Sequence, residues 1–206
     1  MKRFSFVPLT MLFVGFASCS SDSDSSSDSS YKLNEVAYNV VDAGSLTHGS
    51  TSLSGAGSIV FVDPNKEQDN HYSLGFTLED AGSLTVTSNA ANDLTTGISV
   101  EFSRSGTTLN AKLKNDSGET DISSSFSDVD ASGALSYQID VHNGENPTHI
   151  LIWSGVTEYT EENAKFNSEE DGEAPGQGSG TLWGLVLDKA TVSSATVSEV
   201  KFEEAE

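Results

Sequence analysis

The sequence predicts an all-β protein, a two-sheet antiparallel β-sandwich. Short apolar runs recur from Tyr31 onward, and in many of them apolar and polar residues alternate with a period of two. Clusters of Gly, Asp, Asn and Pro separate these runs at short intervals, and no segment keeps a convincing helical period. About ten such strands without an internal repeat are typical of two antiparallel sheets packed face to face.

The strands follow one another along most of the chain. The clearest hairpin joins residues 98–102 to residues 109–113 through the tight link Arg104-Ser105-Gly106-Thr107. Two segments, 114–133 and 159–180, do not fit as strands. We expect the acidic segment 159–180 to be a solvated, mobile loop, with a calcium-ordered lid as the alternative. The predicted strands are residues 35–41, 58–62, 72–78, 84–87, 98–102, 109–113, 137–142, 149–153, 181–187 and 191–202.

Residues 1–19 have the pattern of a secretion signal. Lys2 and Arg3 precede an apolar run, Phe4–Phe16, that is too short to span a bilayer, because a spanning helix needs about 20 apolar residues. Phe16-Ala17-Ser18-Cys19 resembles a bacterial lipobox, whose Cys becomes the lipidated N-terminus after cleavage. The resemblance implies lipidation at Cys19 and an envelope location, in the outer membrane if the cell has one. An ordinary secretory signal cleaved in the same region is the alternative.

The rest of the chain divides into a tether and one domain. Residues 20–30 are almost entirely Ser and Asp, and we expect a disordered, extended tether because they offer nothing apolar to bury. Residues 31–206 are enough for a single β-sandwich with its own core. Cys19 is the only cysteine, so we expect a domain without disulfides.

The charge balance is strongly acidic, with a formal net charge of −21 at pH 7. Such a surface repels nucleic acid and anionic lipid, so we expect neither as a ligand of the domain. It also attracts divalent cations, but a salty habitat would favour the same composition. Charge alone therefore does not establish a metal site.

The densest group of potential ligands lies in a predicted hairpin, residues 134–154. Its first strand alternates apolar and polar residues, so Gln138, Asp140 and His142 share the face away from the core. A turn-rich loop, residues 143–148, leads into the second strand, His149–Trp153. The end of this hairpin therefore collects carboxylate, imidazole and amide groups from Asp140, His142, Asn143, Glu145, Asn146 and His149.

The order of the strands resembles the concanavalin A-like jelly roll, the fold of legume-type lectins, laminin G-like modules and jelly-roll β-glucanases. The specific resemblance lies in Gln138-Ile139-Asp140-Val141-His142, Asn143 and Asn146-Pro147-Thr148-His149. In legume-type lectins the matching hairpin holds calcium and a transition metal beside the sugar. The resemblance implies Asp140 as the shared metal ligand and His149 as the transition-metal ligand. Gln138 replaces a charged ligand of those lectins, and the loop is shorter than theirs.

The same strand argues against hydrolysis. The strand resembles the Glu-x-Asp-x-x-Glu motif of jelly-roll β-glucanases. At the three fixed positions of that motif, this chain has Gln138, Asp140 and Asn143. A retaining glycosidase needs two carboxyl groups about 5–5.5 Å apart, and an amide supplies neither the nucleophile nor the acid. The sequence also lacks a nucleophile elbow and a phosphate-binding glycine loop.

These observations favour a lipid-anchored, non-catalytic module of the cell envelope that binds an extracellular glycan, with calcium as its candidate cofactor. The Asp and His residues can equally be solvated or hydrogen-bonded strand residues, and Trp153 a core residue. Two other functions stay open: a structural or adhesive envelope lipoprotein with a protein partner, and a polysaccharide hydrolase with other carboxylates. The predicted metal ligands are Asp140, His142, Glu145 and His149, and the predicted glycan contacts are Asn143, Asn146 and Trp153.

Overall fold

A computed structural model describes residues 31–62, 69–91, 93–115, 118–144, 148–155, 158–171 and 176–200. The predicted signal, Cys19, the tether and two residues of the predicted site, Glu145 and Asn146, lie outside the described residues. The regular secondary structure of the described part is almost entirely strand, with one 3₁₀ turn, Ser123–Phe126, and one turn of α-helix, α1 (Ser168–Asp171). None of its helices is long and apolar enough to cross a membrane.

Every ladder between the described strands is antiparallel. The strands, in chain order, are β1 (Tyr31–Leu33), β2 (Val36–Asp42), β3 (Thr47–His48), β4 (Leu53–Phe61), β5 (Asp69–Ala90), β6 (Ile98–Ser105), β7 (Thr108–Asn115), β8 (Gly118–Asp121), β9 (Leu135–His142), β10 (His149–Ser154), β11 (Ala164–Asn167) and β12 (Leu182–Glu199).

Two long strands, β5 and β12, take part in both layers of the sandwich. The first half of β5 pairs with β9 and its second half pairs with β6, while β12 follows β5 along nearly its whole length. Both strands bend at one place, where Ala81 and Lys189 have φ angles of 58° and 49°. Gly82 lies in the bend, and a Cβ there would be 2.5 Å from the carbonyl oxygen of Lys189. The bend folds one continuous sheet into two layers.

We call the two layers the back layer and the front layer. The back layer has the strand order β8-β7-β6-β5-β12-β4-β2-β1. The front layer has the order β11, β10, β9, the first half of β5, the second half of β12, the first residues of β4, and β3. This arrangement confirms the predicted all-β, two-sheet antiparallel sandwich.

Aromatic side chains fill the core between the layers. Phe102 of the back layer stacks on Tyr137 of the front layer with ring centroids 5.1 Å apart. Phe126, from the 3₁₀ turn, meets both rings edge-on. Burial raises the pKa of the Tyr137 hydroxyl, because its anion would lose its hydration. Tyr137, Ile139 and Val141 are all buried here, as the alternation in the sequence predicts.

A second aromatic group closes the core at the other end. Trp183 on β12 stacks on Phe61 with a centroid separation of 3.8 Å and lies 5.4 Å from the ring of Tyr72. The Tyr72 hydroxyl is 2.6 Å from Ser88 Oγ, so the two halves of β5 are hydrogen-bonded across the core. Burial raises the pKa of Tyr72, because ionisation would leave a charge in an apolar interior.

The structure differs from the predicted strands in two ways. The runs at 72–78 and 84–87 are one bent strand, β5, and the runs at 181–187 and 191–202 belong to β12, whose described part ends at Glu199. The expectation that 114–133 and 159–180 contain no strands was wrong, because they contain β8 and β11. Both strands are four residues long and carry little apolar sequence, so a periodicity argument passes over them.

Truncating Phe102 tests the interlayer packing. Phe102→Ala is expected to lower the free energy of unfolding by about 3–5 kcal/mol, because it removes a ring that touches both layers and leaves a cavity. Urea denaturation measures the change. Val186→Ala, at a position 38% exposed on the outside of β12, is the control and is expected to change stability by less than about 1 kcal/mol. Equal losses for the two variants would contradict this assignment of the core.

Candidate functional site

The outside of the front layer carries a row of polar side chains. The strand register places His71 beside Asp140 and Ser73 beside Gln138, and it pairs Gln138 with Trp153 on β10. Paired residues of neighbouring strands point to the same side of a sheet. Because the residues between them on β9 are buried in the core, this row faces away from it. We call His71, Ser73, Gln138, Asp140 and Trp153 the polar face.

The shortest polar contact of this face joins His71 and Asp140. Nδ1 of His71 lies 2.6 Å from Oδ1 of Asp140, and the two side chains are 27% and 12% exposed. A carboxylate in this position fixes the orientation of an imidazole while part of the ring stays open to solvent. Asp140 is a predicted metal ligand, whereas the sequence analysis assigned no role to His71. The signal was the alternation of His71 with Tyr72 and Leu74, which puts it on the outer face.

Two aromatic rings extend the polar face toward β10. Trp153 is only 4% exposed, and its ring lies 5.4 Å from that of His71 and 5.8 Å from that of Tyr159. Tyr159 meets the indole edge-on and is 36% exposed. Trp153, a predicted glycan contact, is therefore packed against its neighbours, and Tyr159 presents the more open aromatic surface.

Gln138 holds the chain that leaves β10. Its Nε2 donates to the carbonyl oxygen of Gly155 at 2.8 Å and to Oγ of Ser73 at 3.1 Å. Ser136 Oγ donates to the same carbonyl at 3.2 Å. The amide at the position of a glucanase carboxylate thus has a structural role in positioning the turn after Ser154.

Asn143, a predicted glycan contact, fastens a distant segment to the end of β9. Its Nδ2 donates to the carbonyl oxygen of Gly178 at 2.9 Å, and the Gly178 amide donates to its Oδ1 at 2.8 Å. The side chain of Gln177 donates to the Asn143 carbonyl oxygen at 2.9 Å. The side-chain amide therefore imitates one rung of a β-ladder, and Asn143 is 7% exposed.

Two histidines lie beyond Asp140 at the loop end of the hairpin. The rings of His142 and His149 stack with centroids 5.1 Å apart, and they occupy directly paired positions of β9 and β10. Nε2 of His149 is 3.1 Å from Oδ1 of Asn167 and 4.0 Å from a carboxylate oxygen of Glu169. This pair of imidazoles is separate from the His71–Asp140 contact in the adjoining row.

The described donors do not form a calcium site by themselves. Calcium takes six to eight oxygen ligands, whereas this region combines two stacked imidazoles with a carboxylate that contacts a third. Within the described ranges, no group of three or more His, Cys, Asp or Glu side chains is arranged to hold a metal ion. Glu145, the remaining predicted metal ligand, and Asn146 lie outside those ranges, so the predicted metal site stays a prediction.

The acidic segment forms the edge of the front layer over part of its length. β11 pairs with β10, its Phe166 is 3% exposed, and the backbone amide of Ile150 donates to Ser168 Oγ at 2.8 Å. Nζ of Lys165 contacts both carboxylate oxygens of Asp128, at 2.8 and 2.9 Å. The expectation of a solvated loop is therefore wrong for residues 164–168, because one buried aromatic ring and these polar contacts attach them to the sheet. Glu169, Glu170 and Asp171 are exposed, as that expectation implies.

Comparison with solved structures finds several proteins with a similar fold. The chain is similar to carbohydrate-binding module CBM66 from Bacillus subtilis, with a TM-score of 0.51 and 12% identity over 82% of this chain and 99% of that one. It is also similar to the exoplasmic/lumenal domain of VIP36 in its Ca²⁺/Man-bound form, with a TM-score of 0.52 and 11% identity over 82% and 85% of the two chains. A legume lectin-like domain from Entamoeba histolytica gives a TM-score of 0.50 and 9% identity over 80% and 90%.

These similarities confirm the predicted fold: the chain is a concanavalin A-like jelly roll. No protein-family model matches the chain, and no curated protein matches it in sequence. Identities of this size establish the architecture alone, so the function has to be argued from the residues of the polar face.

A single substitution can remove the two hydrogen bonds between the Asn143 side chain and the backbone of Gly178. Asn143→Ala is expected to lower the free energy of unfolding by about 1–3 kcal/mol, because the Gly178 amide and carbonyl lose their partner. It should also accelerate deuterium uptake in peptides covering 176–180 about tenfold or more, measured by mass spectrometry. Asn39→Ala, at an exposed position of β2, is the matched control. Unchanged deuterium uptake in the Asn143 variant would contradict a role of these hydrogen bonds in holding residues 176–180.

The Lys165–Asp128 pair predicts a weak acid dependence of stability. Hydrogen bonding and charge attraction from Lys165 hold the pKa of the Asp128 carboxyl below its ordinary value of 3.8. A lowered pKa in the folded state means that the stabilisation is present above pH 3.8 and disappears as the pH falls through the lowered pKa. Asp128→Asn should therefore lower the melting temperature by about 1–3 °C at pH 7 and by less in acid.

Thermal melts of both proteins between about pH 2 and pH 7 test this sign. Glu161→Gln removes one exposed carboxylate from the acidic segment and controls for the change in net charge. A difference between wild type and Asp128→Asn that grows toward low pH would contradict the assigned pairing.

Proposed function

We propose that the protein is a non-catalytic glycan-binding module and that its ligand lies against the polar face of the front layer. The observation that carries this proposal is the oriented, part-exposed imidazole of His71, which is held by Asp140 and packs, like the exposed ring of Tyr159, against Trp153. A sugar offers hydroxyl groups at its edge and C–H groups on its faces. Sites for such ligands combine a few fixed polar groups with an aromatic surface.

Both groups lie next to one indole ring. The ring centroids of His71 and Tyr159 are 5.4 and 5.8 Å from that of Trp153. Trp153 therefore joins the polar group and the more open aromatic ring into one continuous patch. The 2.6 Å contact with Asp140 and the packing on the indole restrict both side chains before a ligand arrives, which lowers the entropic cost of binding.

The same residues support binding in preference to hydrolysis. Of the three glucanase-like positions, only Asp140 is a carboxylate, and it contacts His71. Gln138 and Asn143 are amides engaged with Gly155 and Gly178. The two facing carboxyl groups of a retaining glycosidase are therefore missing from these positions. The printed names of the similar structures, a carbohydrate-binding module and a mannose-bound domain, add support for a glycan as the ligand.

Two further parts of the proposal rest on the sequence. Calcium is the candidate cofactor because of the lectin-like hairpin and the Ca²⁺-bound form of the VIP36 domain. Since the described side chains do not suffice, such a site needs Glu145 or Asn146.

We also propose that the mature protein is anchored in the cell envelope through a lipid on Cys19, with residues 20–30 as the tether. Cys19→Ser should then move the protein from the membrane fraction to the soluble fraction.

Substitutions on the polar face test the glycan proposal. A glycan array followed by titration calorimetry should identify a ligand, and His71→Ala and Tyr159→Ala should each weaken its binding about tenfold or more, or about 1.4 kcal/mol. Both variants should keep the wild-type fold, because both side chains are partly exposed. Tyr31→Ala removes an equally large ring that is 45% exposed on β1, in the back layer, and should leave affinity unchanged.

The alternatives have their own outcomes in this experiment. Loss of binding in Tyr31→Ala alone would move the site to the back layer. Failure to bind any glycan on the array, together with capture of one envelope protein, would favour a structural or adhesive lipoprotein. Turnover of a polysaccharide that is lost on mutating one carboxylate would favour a hydrolase.

Calcium is tested separately by thermal melting. If calcium binds only the folded state, adding it to chelator-treated protein should raise the melting temperature, and Glu145→Gln should reduce that shift. Glu161→Gln, outside the predicted site, should leave the shift intact. A melting temperature that does not respond to calcium removes the metal from the proposal and leaves the glycan site to the assays above.

A further inference from the structure

We propose that the polar face selects uncharged glycans and rejects acidic polysaccharides that carry uronate or sulfate groups. This inference rests on the proposed function and names the class of substrate that the face accepts. It follows from the placement of charged side chains around His71, Asp140 and Trp153.

The strands that build the polar face contain no strong cation. β9, β10, the first half of β5 (69–78) and the second half of β12 (190–199) include neither Lys nor Arg. Recognition of carboxylate or sulfate in proteins relies on these two residues, with Arg as the bidentate partner and Lys as a point charge. Without bound calcium, an acidic sugar placed on this face would therefore meet no permanent positive charge from these strands.

The one Lys of the front layer is already occupied. Lys165 on β11 contacts both oxygens of Asp128 at 2.8 and 2.9 Å, and its side chain is only 15% exposed. Recruiting it for a ligand would break this ion pair and leave the Asp128 carboxylate without its cation. The other cations of the described residues lie on β1, β6, β7 and the bend of β12: Lys32, Arg104, Lys112, Lys114 and Lys189. Lys66 and Lys201 lie outside the described residues.

The histidine of the face does not compensate for this lack. Asp140 places a carboxylate oxygen 2.6 Å from Nδ1 of His71, so the imidazole does not stand alone as a cation on the face. Asp69, paired with His142 on the same side of the sheet, adds another carboxylate. Glu169 places a carboxylate oxygen 4.0 Å from Nε2 of His149.

The acidic segment adds repulsion at the border of the face. Tyr159, the exposed aromatic contact, is flanked in sequence by Glu158, Glu161 and Glu162, all exposed. An anionic polymer that reached the ring would approach these carboxylates and lose hydration without gaining an opposite charge. Hydroxyl and N-acetyl groups carry no such penalty, because they exchange hydrogen bonds with water for hydrogen bonds with His71 and Asp140.

Matched pairs of polysaccharides test the inference on the full-length protein in the presence of a chelator, so that no bound calcium adds positive charge to the face. The probes are methyl-esterified and de-esterified homogalacturonan, dextran and dextran sulfate, and xylan and glucuronoxylan, which share a backbone within each pair and differ in charge. With the array ligand as positive control, every acidic member is expected to bind at least about tenfold more weakly than its neutral counterpart at low salt. The gap should narrow at about 0.5 M salt, because screening weakens the repulsion.

The outcomes separate this inference from the proposed function. An acidic polymer that binds more tightly than its neutral counterpart, with affinity lost in Tyr159→Ala, overturns the charge selection and leaves the glycan site in place. Failure of every neutral and acidic glycan to bind removes the proposed function, and the inference falls with it.

A gain-of-charge variant gives an independent check. Ser198 is exposed and directly paired with His71, so Ser198→Lys adds a cation beside the polar face without disturbing the core. It is expected to improve binding of the acidic probes about fivefold or more and to leave neutral binding unchanged. Val186→Lys adds the same charge on the outside of the back layer and should have no effect. Equal improvement in both variants would overturn the inference, because it would reflect net charge alone.

Discussion

The shared bend of β5 and β12 is the constraint on which the other features depend. These two strands pair with each other through both layers, so a turn in one without the other would break their ladder. The bend therefore needs the positive φ angles of Ala81 and Lys189 and the close backbone approach at Gly82 to occur together. Once the sheet is folded there, the aromatic rings of the two layers face each other and the remaining strands add to edges already in place.

The polar face is a consequence of that packing. The core takes Tyr72, Tyr137 and Ile139 from the front layer, so strand geometry sends His71, Gln138 and Asp140 to the opposite side. Their roles then differ because their neighbours differ. Gln138 is consumed in holding Gly155, whereas Asp140 orients an imidazole that keeps access to solvent. A face with one fixed, open polar group beside an aromatic ring agrees with the proposed role in binding a glycan.

The sequence predicts the architecture well because period-two alternation is a local signal. Asp140 and its neighbours were found by that signal, since each strand of the hairpin is long and regular. His71 was missed because the predicted strand begins at Tyr72, three residues after the start of β5 at Asp69. β11 was missed because Phe166 is a single apolar residue among polar ones, and its burial depends on β10.

The hydrogen-bond partner of the Asn143 side chain cannot be predicted from the residues near it in the sequence. From the sequence, the Asn143 side chain is a candidate ligand. In the structure it is hydrogen-bonded to Gly178, which lies 35 residues further along the chain. The same holds for the Lys165–Asp128 pair, whose members are 37 residues apart. Long-range contacts of this kind decide which polar groups remain available at a site, and no periodicity reports them.

The short strand β11 has a consequence for how the molecule behaves among its own copies. Ile150, Leu151, Ile152 and Trp153 form a strongly β-prone apolar stretch, and without β11 the backbone of β10 would be open on that side. Open edges of such composition invite pairing between molecules and lead to aggregates. β11 covers that edge, and the carboxylates of Glu169, Glu170 and Asp171 directly after it repel a like-charged neighbour. The acidic segment is therefore expected to hinder edge-to-edge pairing between copies of the domain.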